Sequence, residues 1–435
     1  MTVRGLVKVP AVPGDPDQPG YKRIFTVRGR GGDSPRNGST RCPWWITSAQ
    51  FYQQFQDRDK VYFHECSTVD GKWTNTSKKN KFEHNPAYVS FIGHKNFLDP
   101  KMVYIDGSFR MNSDKATIKN FIFNNDDYVQ RDDNDKYNDV WCYANDHTIF
   151  QDCIMSNFQI GFYNANECAD IVLDGCILYF NGRSGADRIH GHGVYTQGAS
   201  SWNNKYLQYP TIIRNCIVFN NAYYGIHGYV GSMGVYGLRV ENCISFNTST
   251  LYPMEGRRAN ILLWGPLYDC VMKNNCTYQE NVENVWNYPN DFGNSTSVVN
   301  GYVGDNYCPD GLYTSPGTYI RNGGNVYSRP DPPVNFIKVY DVRGRAHVAV
   351  YNWELLDEVT IDLSRVAGMY PGGTVEIINV QDLWVDRVTA VIDENRCVSV
   401  SMDPNDHSVQ VPQGDNILTP NKTFPEFGCF VIRHL

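Results

Sequence analysis

Short apolar runs bounded by Asn, Gly or Asp recur along residues 118–281. Most share one pattern, in which a turn residue precedes a Cys, an Ile follows it and an Asn comes later. The six copies are IKNFIFNN (118–125), FQDCIMSN (150–157), LDGCILYFN (173–181), IRNCIVFNN (213–221), VENCISFN (240–247) and KNNCTYQEN (273–281). One place is held by Phe121, Cys153, Cys176, Cys216, Cys243 and Cys276. Successive intervals of 32, 23, 40, 27 and 33 residues are typical of one coil of a solenoid.

The local chemistry of these copies favours strands over helices. Apolar spacing at i, i+3 and i+4 is largely missing, while β-branched residues and Asn or Gly punctuation are frequent. Such short strands cannot bury a face alone, so they predict a right-handed parallel β-helix. Cys, Ile and Phe are expected to stack as interior columns. Asn is expected at the turns, because it tolerates the left-handed conformation and hydrogen-bonds along the stack.

A second set of segments predicts an aromatic outer face. GFYNA (161–165), GVYTQ (193–197), GIHGY (225–229), NILLW (260–264) and NVWNY (284–288) align with one another. Strand alternation then turns five residues inward: Phe162, Val194, Ile226, Ile261 and Val285. One outer row becomes Tyr163, Tyr195, His227, Leu262 and Trp286, and the next becomes Ala165, Gln197, Tyr229, Trp264 and Tyr288.

The chain divides into four stretches on this interpretation. Residues 1–20 form a flexible N-terminal segment, and residues 21–327 form the β-helix with its N-terminal cap, including a helix over 46–56 and strands over 60–66, 88–93 and 102–107. The Pro-rich sequence SRPDPPVN at 328–335 predicts a linker. Longer alternating strands in 336–435 predict a separate antiparallel β-sandwich, giving an all-β fold class.

Composition narrows the classes of function. The 435 residues carry a net charge of −7 and no long cationic run, which argues against nucleic acid as a partner. No stretch approaches the roughly 18 consecutive apolar residues of a membrane span. The N-terminus has no apolar core of a signal peptide. The 13 cysteines form no CxxC pair and follow the repeat, which favours buried free thiols over a zinc site and leaves room for few disulfides.

Four further motifs resemble those of secreted bacterial parallel β-helix repeat proteins found among polysaccharide-active proteins. They are Gly191–Gln197 (GHGVYTQ), Tyr224–Tyr229 (YGIHGY), Ala346–Trp353 and Ile361–Ser364. The similarity covers roughly residues 115–435 and implies a polysaccharide partner and an extracellular location. The expected lack of a secretion signal leaves room for a phage tailspike-type virion protein, which would be a homo-trimer.

The aromatic outer face is the main candidate site. Solvent-facing rings need a reason beyond burial, and rings with hydroxyl and amide groups suit sugars. A covering insertion or an oligomer interface remains open as an alternative. The predicted substrate-binding residues are Tyr163, Gln197, Tyr224, Tyr229, Trp264, Trp286, Tyr288, Asp187 and Glu255.

The same neighbourhood contains residue types for a polysaccharide lyase. Proton abstraction beside a uronate carboxylate needs a base and a cation that neutralises the acid group. The acid/base candidates are His192, Tyr195 and His227, and the cation candidates are Arg188 and Arg257. Strict alternation instead turns His192 inward, where it would be a core histidine.

Other chemistry is less favoured. A glycoside hydrolase needs two facing carboxylates, for which Asp187, Glu255 and Glu283 are candidates. A non-enzymatic virion protein or surface adhesin is the alternative of a different class. No cofactor or metal site is predicted, although the acidic run over 124–139 leaves calcium possible, with a solvated insertion favoured. Trp353 and Trp384 are expected to be structural.

Overall fold

The fold is seen in a computed structural model of the chain. The described residues are 24–27, 60–63, 72–73, 79–82, 89–93, 95–111, 115–125, 139–142, 146–164, 168–184, 189–197, 209–230, 234–251, 256–257, 259–280, 285–286, 290–292, 298–314, 320–413 and 417–435. The predicted helix over 46–56 and the predicted flexible segment 1–20 lie outside them.

Three long parallel sheets wind around one core. The chain visits sheet A, then sheet B, then sheet C, and returns to sheet A one coil further on. Each strand therefore pairs with its equivalents in the coils before and after, as Ile149, Val172 and Ile212 do in sheet A. This topology confirms the predicted parallel β-helix.

Over the described ranges, the three sheets contain 11, 8 and 9 strands. Sheet A consists of Ile24–Val27, Lys60–Phe63, Ser90–Gly93, Thr117–Lys119, Thr148–Gln151, Ile171–Asp174, Ile212–Arg214, Arg239–Glu241, Val271–Lys273, Gly301–Gly304 and Ile320–Gly323. Sheet B consists of Lys72–Trp73, Val103–Asp106, Phe121–Asn124, Ile154–Ser156, Ile177–Tyr179, Ile217–Phe219, Ile244–Phe246 and Cys276–Tyr278. Sheet C consists of Lys79–Phe82, Ser108–Met111, Asp139–Cys142, Ile160–Asn164, His192–Thr196, Tyr224–Tyr229, Ala259–Trp264, Asn290–Phe292 and Tyr313–Thr314.

Three small sheets lie between the long ones. A parallel three-stranded sheet connects sheet C to sheet A, with strands Val235–Tyr236, Leu267–Tyr268 and Val298–Val299. Arg183–Ser184 and Ile189–His190 pair as an antiparallel hairpin just before sheet C. Gly256–Arg257 pairs in parallel with Val285–Trp286.

The predicted cysteine column lies in the interior. Cys153, Cys176, Cys216 and Cys243 are fully buried in the core of the β-helix, and each of the ten cysteines whose side chains the structure describes is a free thiol. The sixth copy is displaced by one residue, because Cys276 pairs with Ile244 in sheet B. Cys276 therefore does not occupy the column of Cys243.

Asparagines hold the turn between sheets A and B, as predicted. Asn215, Asn242 and Asn274 have φ values of 55°, 55° and 54° in the left-handed region. Their amides form a ladder in which Asn274 Nδ2 donates to Asn242 Oδ1 at 2.7 Å and Asn242 Nδ2 donates to Asn215 Oδ1 at 3.3 Å. Each turn thus supports the next one along the solenoid.

The isoleucine column was expected in the interior, and this prediction was wrong. The column consists of Ile122, Ile154, Ile177, Ile217 and Ile244. It lies on the outer face of sheet B and packs in one cluster with residues after 336, including Tyr351 and Val431. The C-terminal sandwich covers this face, so an apolar outer column is buried there.

The C-terminal region consists of two antiparallel sheets around a core of its own. The larger sheet contains Phe336–Asp341, Ala346–Tyr351, Thr374–Asn379, Arg387–Val391 and Phe427–His434, and the smaller contains Glu358–Asp362 and Cys397–Ser401. Two short 3-10 helices, Val380–Asp382 and Pro404–Asp406, complete it. No helix in the described part of the chain is long and apolar enough to cross a membrane.

Polar contacts also join the sandwich to the turns of the β-helix. Arg345 Nη2 lies 2.6 Å from Asp152 Oδ1, and Arg343 Nη1 lies 2.9 Å from Asp174 Oδ1. Tyr351 donates its hydroxyl proton to the Thr277 carbonyl at 2.9 Å. The two β regions are therefore held together by partly buried charge pairs as well as by apolar packing.

Candidate functional site

The outer face of sheet C carries the predicted aromatic row. Tyr163 pairs with Tyr195, Tyr195 with His227, and His227 with Leu262. The inner neighbours Phe162, Val194, Ile226 and Ile261 are buried in the core, as alternation predicts. Tyr229 pairs with Trp264 two residues further along the same strands, so this pair extends the same face.

His192 also belongs to this outer face, contrary to strict alternation. Gly193 follows it, and a Cβ at Gly193 would lie 2.8 Å from Asn221 Nδ2, within the packed corner between sheets B and C. Gly193 and Val194 therefore both face inward, which leaves His192 and Tyr195 on the outer side. Gly191, with φ of 124°, precedes His192 where the backbone passes very close to Gly182.

The structure brings the three acid/base candidates together. The His192 ring centroid lies 5.0 Å from that of Tyr195 and 4.9 Å from that of His227. Tyr195 and His227 stack with centroids 5.2 Å apart. Tyr224 stacks on His192 at 5.4 Å and lies 4.7 Å from His227. One continuous cluster therefore contains both histidines and two tyrosines.

The cluster continues in both directions along the solenoid. Tyr163 stacks on Tyr195 at 5.5 Å, His227 on Tyr229 at 5.6 Å, and Tyr229 on Trp264 at 5.1 Å. Most of these rings are half-buried. Since they stack face to face, the row presents ring edges, hydroxyls and amides outward rather than open ring faces.

Gln197 links two of the tyrosine hydroxyls. Tyr163 donates its hydroxyl proton to Gln197 Oε1 at 2.7 Å, and Gln197 Nε2 donates to the Tyr195 hydroxyl at 3.2 Å. Burial raises the pKa of Tyr195, although the hydrogen bond with Gln197 opposes this effect. Tyr195 therefore keeps its proton at neutral pH and can serve as a donor.

His227 is buried, with 6% of its surface exposed. Neither of its ring nitrogens has a hydrogen-bond partner among the described residues. Burial lowers the pKa of His227 well below its usual value, and the electrostatic interaction with the neighbouring His192 ring lowers it further. The ring is therefore neutral at neutral pH.

The fifth segment of the aromatic alignment is misplaced. Asn290, and not Val285, pairs with Ile261 in sheet C, and Asp291 pairs with Leu262. Val285 and Trp286 pair instead with Gly256 and Arg257 in the small sheet outside the row. NVWNY resembles the sheet C strands locally but belongs to an insertion.

The remaining candidates are only partly located. Arg257 lies two residues before Ala259, which pairs with Tyr224, so its backbone is near the histidine end of the face. Tyr288, Asp187, Arg188, Glu255 and Glu283 lie outside the described residues, and so does most of the acidic run proposed for calcium. Asn124 is buried and accepts hydrogen bonds from Ser156 and Asn157 at 2.7 Å, as part of a turn.

Two residues of this face, Tyr223 and Trp141, were not predicted from the sequence. The ring centroid of Tyr223 lies 4.0 Å from that of Tyr224 and 5.9 Å from that of His192. Trp141 pairs with Tyr163 and extends the row by one strand. The short apolar run VWC at 140–142 was the available signal for that strand.

The two tryptophans of the sandwich occupy packed positions. Trp353 is buried, and its Nε1 donates to the Tyr307 hydroxyl at 3.0 Å. Trp384 is half-buried against the cluster shared by the sandwich and sheet B. Both contribute to the junction between the two β regions.

Comparisons with known proteins give matches among solved structures alone. No protein-family model matches the chain, and no curated protein matches it. Pectate lyase Pel9A matches at 13% identity and a TM-score of 0.39, over 72% of this chain and 82% of that chain. The Dettilon tailspike protein gp208 matches at 9% identity and a TM-score of 0.32, over 94% of this chain and 86% of that chain. The tailspike protein of E. coli bacteriophage HK620, in complex with a pentasaccharide, matches at 10% identity and a TM-score of 0.34, over 95% of this chain and 86% of that chain.

Proposed function

We propose that this protein binds an acidic polysaccharide along the outer face of sheet C and cleaves it by β-elimination. The observation that carries the proposal is the cluster of His192, Tyr195 and His227, whose rings lie within about 5 Å of one another in an otherwise aromatic row. The proposed setting is extracellular or on a virion surface, where such polymers occur.

The electrostatics of the row favour an anionic ligand. Aromatic rings carry partial positive charge at their edges, and stacking leaves the edges of Tyr163, Tyr195 and Tyr229 as the outward parts. Gln197 adds an amide next to two hydroxyls. Uronate hydroxyls and carboxylates match these groups better than a neutral apolar ligand would.

The chemistry requires one proton to leave and another to arrive. In β-elimination a base removes the proton at C5 beside the carboxylate, and the electrons of that bond form a C4–C5 double bond. The C4–O bond breaks, and an acid protonates the departing oxygen. We assign the base to His192, which lies half-buried at the surface, and the acid to Tyr195, whose raised pKa retains the proton. Proton exchange with water then restores both groups.

A panel of acidic polysaccharides tests this proposal. The wild-type protein is incubated with polygalacturonate, alginate and hyaluronan while the ultraviolet absorbance of unsaturated ends is followed. We expect His192→Gln and Tyr195→Phe to slow the reaction by about 10²- to 10⁴-fold, the usual contribution of a positioned acid or base. Tyr236→Phe is the control, because Tyr236 stacks on Tyr268 in the small three-stranded sheet, outside the row.

The outcomes separate the competing functions. No ultraviolet signal with any of the polymers contradicts the lyase. Reducing ends without that signal indicate a hydrolase, and tight binding without cleavage indicates the adhesin or virion protein. Light scattering after size-exclusion chromatography reports whether the chain is the homo-trimer expected of a tailspike.

A further inference from the structure

Tyr223 lies where the outer face of sheet C meets the part of the β-helix that the sandwich covers. Its half-buried side chain packs against the apolar cluster that sheet B shares with the sandwich. It also packs against a smaller cluster on sheet C, formed by Tyr224, Ala259 and Leu262. Among the residues that the structure describes, Tyr223 is the one that packs against both clusters. Tyr223 therefore connects the sandwich side of the molecule to the aromatic row.

The backbone of Tyr223 is linked to the sandwich through two hydrogen bonds. The Ser249 hydroxyl donates to the Tyr223 carbonyl oxygen at 2.7 Å. Two residues further along the chain, the Leu251 carbonyl oxygen accepts a hydrogen bond from the backbone amide of Leu418 at 2.9 Å. Leu251 is fully buried in the cluster shared with the sandwich, and Ile417 packs against the same cluster. Contacts therefore run without a break from the sandwich to Tyr223.

The ring of Tyr223 lies beside the histidine cluster. Its centroid is 4.0 Å from that of Tyr224 and 5.9 Å from that of His192, both within the range of interacting aromatic rings. Tyr224 in turn stacks nearly parallel on His192, with 4° between the ring planes. Because packed neighbours restrict the rotation of a side chain, Tyr223 limits the movement of both rings.

We infer that Tyr223 is a positioning residue for His192, the proposed base, and that the sandwich supports Tyr223 in this role. The inference rests on the proposed function and adds a residue that exchanges no proton itself. A base has to be aimed at the proton that it removes, and a displacement of about 1 Å can slow a reaction about 100-fold. Loss of the Tyr223 ring should therefore lower the rate of the chemical step more than the affinity for substrate.

The test compares Tyr223→Leu with Tyr223→Phe and with a matched control, Tyr104→Leu. Leucine keeps an apolar side chain in the packed position but removes the ring, whereas phenylalanine keeps the ring. Tyr104 is also half-buried against the cluster shared with the sandwich, but it lies on sheet B, where it pairs with Ile122 several coils from Tyr223. The control thus loses comparable packing without a change next to His192.

The kinetic constants kcat and KM are measured with the acidic polymer that the wild-type protein cleaves. We expect Tyr223→Leu to lower kcat about 10- to 100-fold and to change KM by less than about twofold. Tyr223→Phe and Tyr104→Leu should both stay within about threefold of wild type in kcat. Thermal melting confirms that each variant is folded, and Tyr223→Met replaces Tyr223→Leu if the latter is not.

NMR of His192 provides a measurement that does not depend on turnover. The ring Hε1 resonance of His192 is assigned by its disappearance in His192→Gln. We expect this resonance to shift in Tyr223→Leu and to keep its position in Tyr104→Leu, because aromatic rings shift the resonances of the groups they pack against.

The outcomes separate this inference from the proposed function. A kcat loss in Tyr223→Leu no larger than that in Tyr104→Leu, or an unshifted His192 resonance, overturns the positioning role and leaves the proposed function standing. If the wild-type protein cleaves none of the acidic polymers, the proposed function fails, and the assignment of Tyr223 to a base fails with it.

Discussion

His407 shows how a single side chain of the sandwich depends on its protonation state. Its Nδ1 lies 3.0 Å from Asp386 Oδ2, and its Nε2 lies 2.9 Å from the Ser401 carbonyl oxygen. Both neighbours are acceptors, so only the doubly protonated ring satisfies both. Burial lowers the pKa of His407, but the hydrogen bonds to Asp386 and Ser401 outweigh it and the pKa is raised.

Replacement of His407 by Gln should therefore have a pH-dependent effect on stability. The contribution of His407 is fully present below the unfolded pKa of about 6.5 and is lost as the pH rises through the higher folded pKa. Chemical denaturation of wild type and His407→Gln should show a large difference in unfolding free energy at pH 5.5 and a smaller one at pH 9. An equal difference at both pH values contradicts this assignment.

His227 illustrates the opposite case, a polar ring buried without partners. A buried unsatisfied polar group costs about 1 to 3 kcal/mol, and functional sites commonly trade stability for activity. His227→Phe should therefore raise the unfolding free energy by about 1 kcal/mol while lowering the lyase rate. Thermal melting and the absorbance assay measure the two effects. A variant that melts lower than wild type would show that the ring is needed for packing.

At the scale of elements, the turn between sheets A and B combines two requirements in one residue. Asn242 adopts the left-handed conformation, and its amide links the coils before and after it. A Cys or Ile side chain has no amide group and does not favour the left-handed conformation, so neither residue type meets the two requirements. The asparagine column thus holds the register of successive coils.

Two substitutions at Asn242 separate the requirements. Asn242→Gly removes the two amide hydrogen bonds, at about 0.5 to 1.5 kcal/mol each, but keeps the backbone conformation accessible. Asn242→Ala adds a left-handed strain of about 1 to 2 kcal/mol. We therefore expect Ala to be the more destabilising variant in urea denaturation. Equal losses would mean that the hydrogen bonds alone matter.

At the scale of the whole molecule, the sandwich acts as a cover for one side of the β-helix. Sheet A leaves part of its outer face in solvent, as the 37% exposure of Ile149 shows. The outer isoleucines of sheet B are instead fully buried or nearly so against the sandwich. An outer-face isoleucine is therefore exposed to solvent on sheet A but buried in a packed core on sheet B.

A matched pair of truncations measures this cover. Ile217→Ala on sheet B should cost about 2 to 5 kcal/mol of unfolding free energy, the range for a buried aliphatic side chain. Ile149→Ala on sheet A should stay within about 0.5 kcal/mol of wild type, as surface substitutions do. Similar small losses at both sites would show that the sandwich separates readily from sheet B in solution.

The limits of prediction can be seen in particular residues. The stacking of Tyr163, Tyr195 and His227 was predictable, because three neighbouring segments share the same short pattern. The placement of Trp286 was not, since NVWNY resembles a sheet C strand while the chain pairs Asn290 there. Strict alternation would turn His192 inward, but two consecutive inward positions break that alternation at Gly193.

The amino-acid sequence alone determined the solenoid, its asparagine turns and its interior cysteine column, because these depend on local patterns that each coil repeats. The tertiary structure decided which similar segments pair, that His192 joins the outer row, and that the sandwich buries the isoleucine column. These outcomes depend on contacts between residues far apart in the chain. The lengths of the insertions and the packing of the sandwich determine these outcomes, and a short repeated pattern carries information about neither.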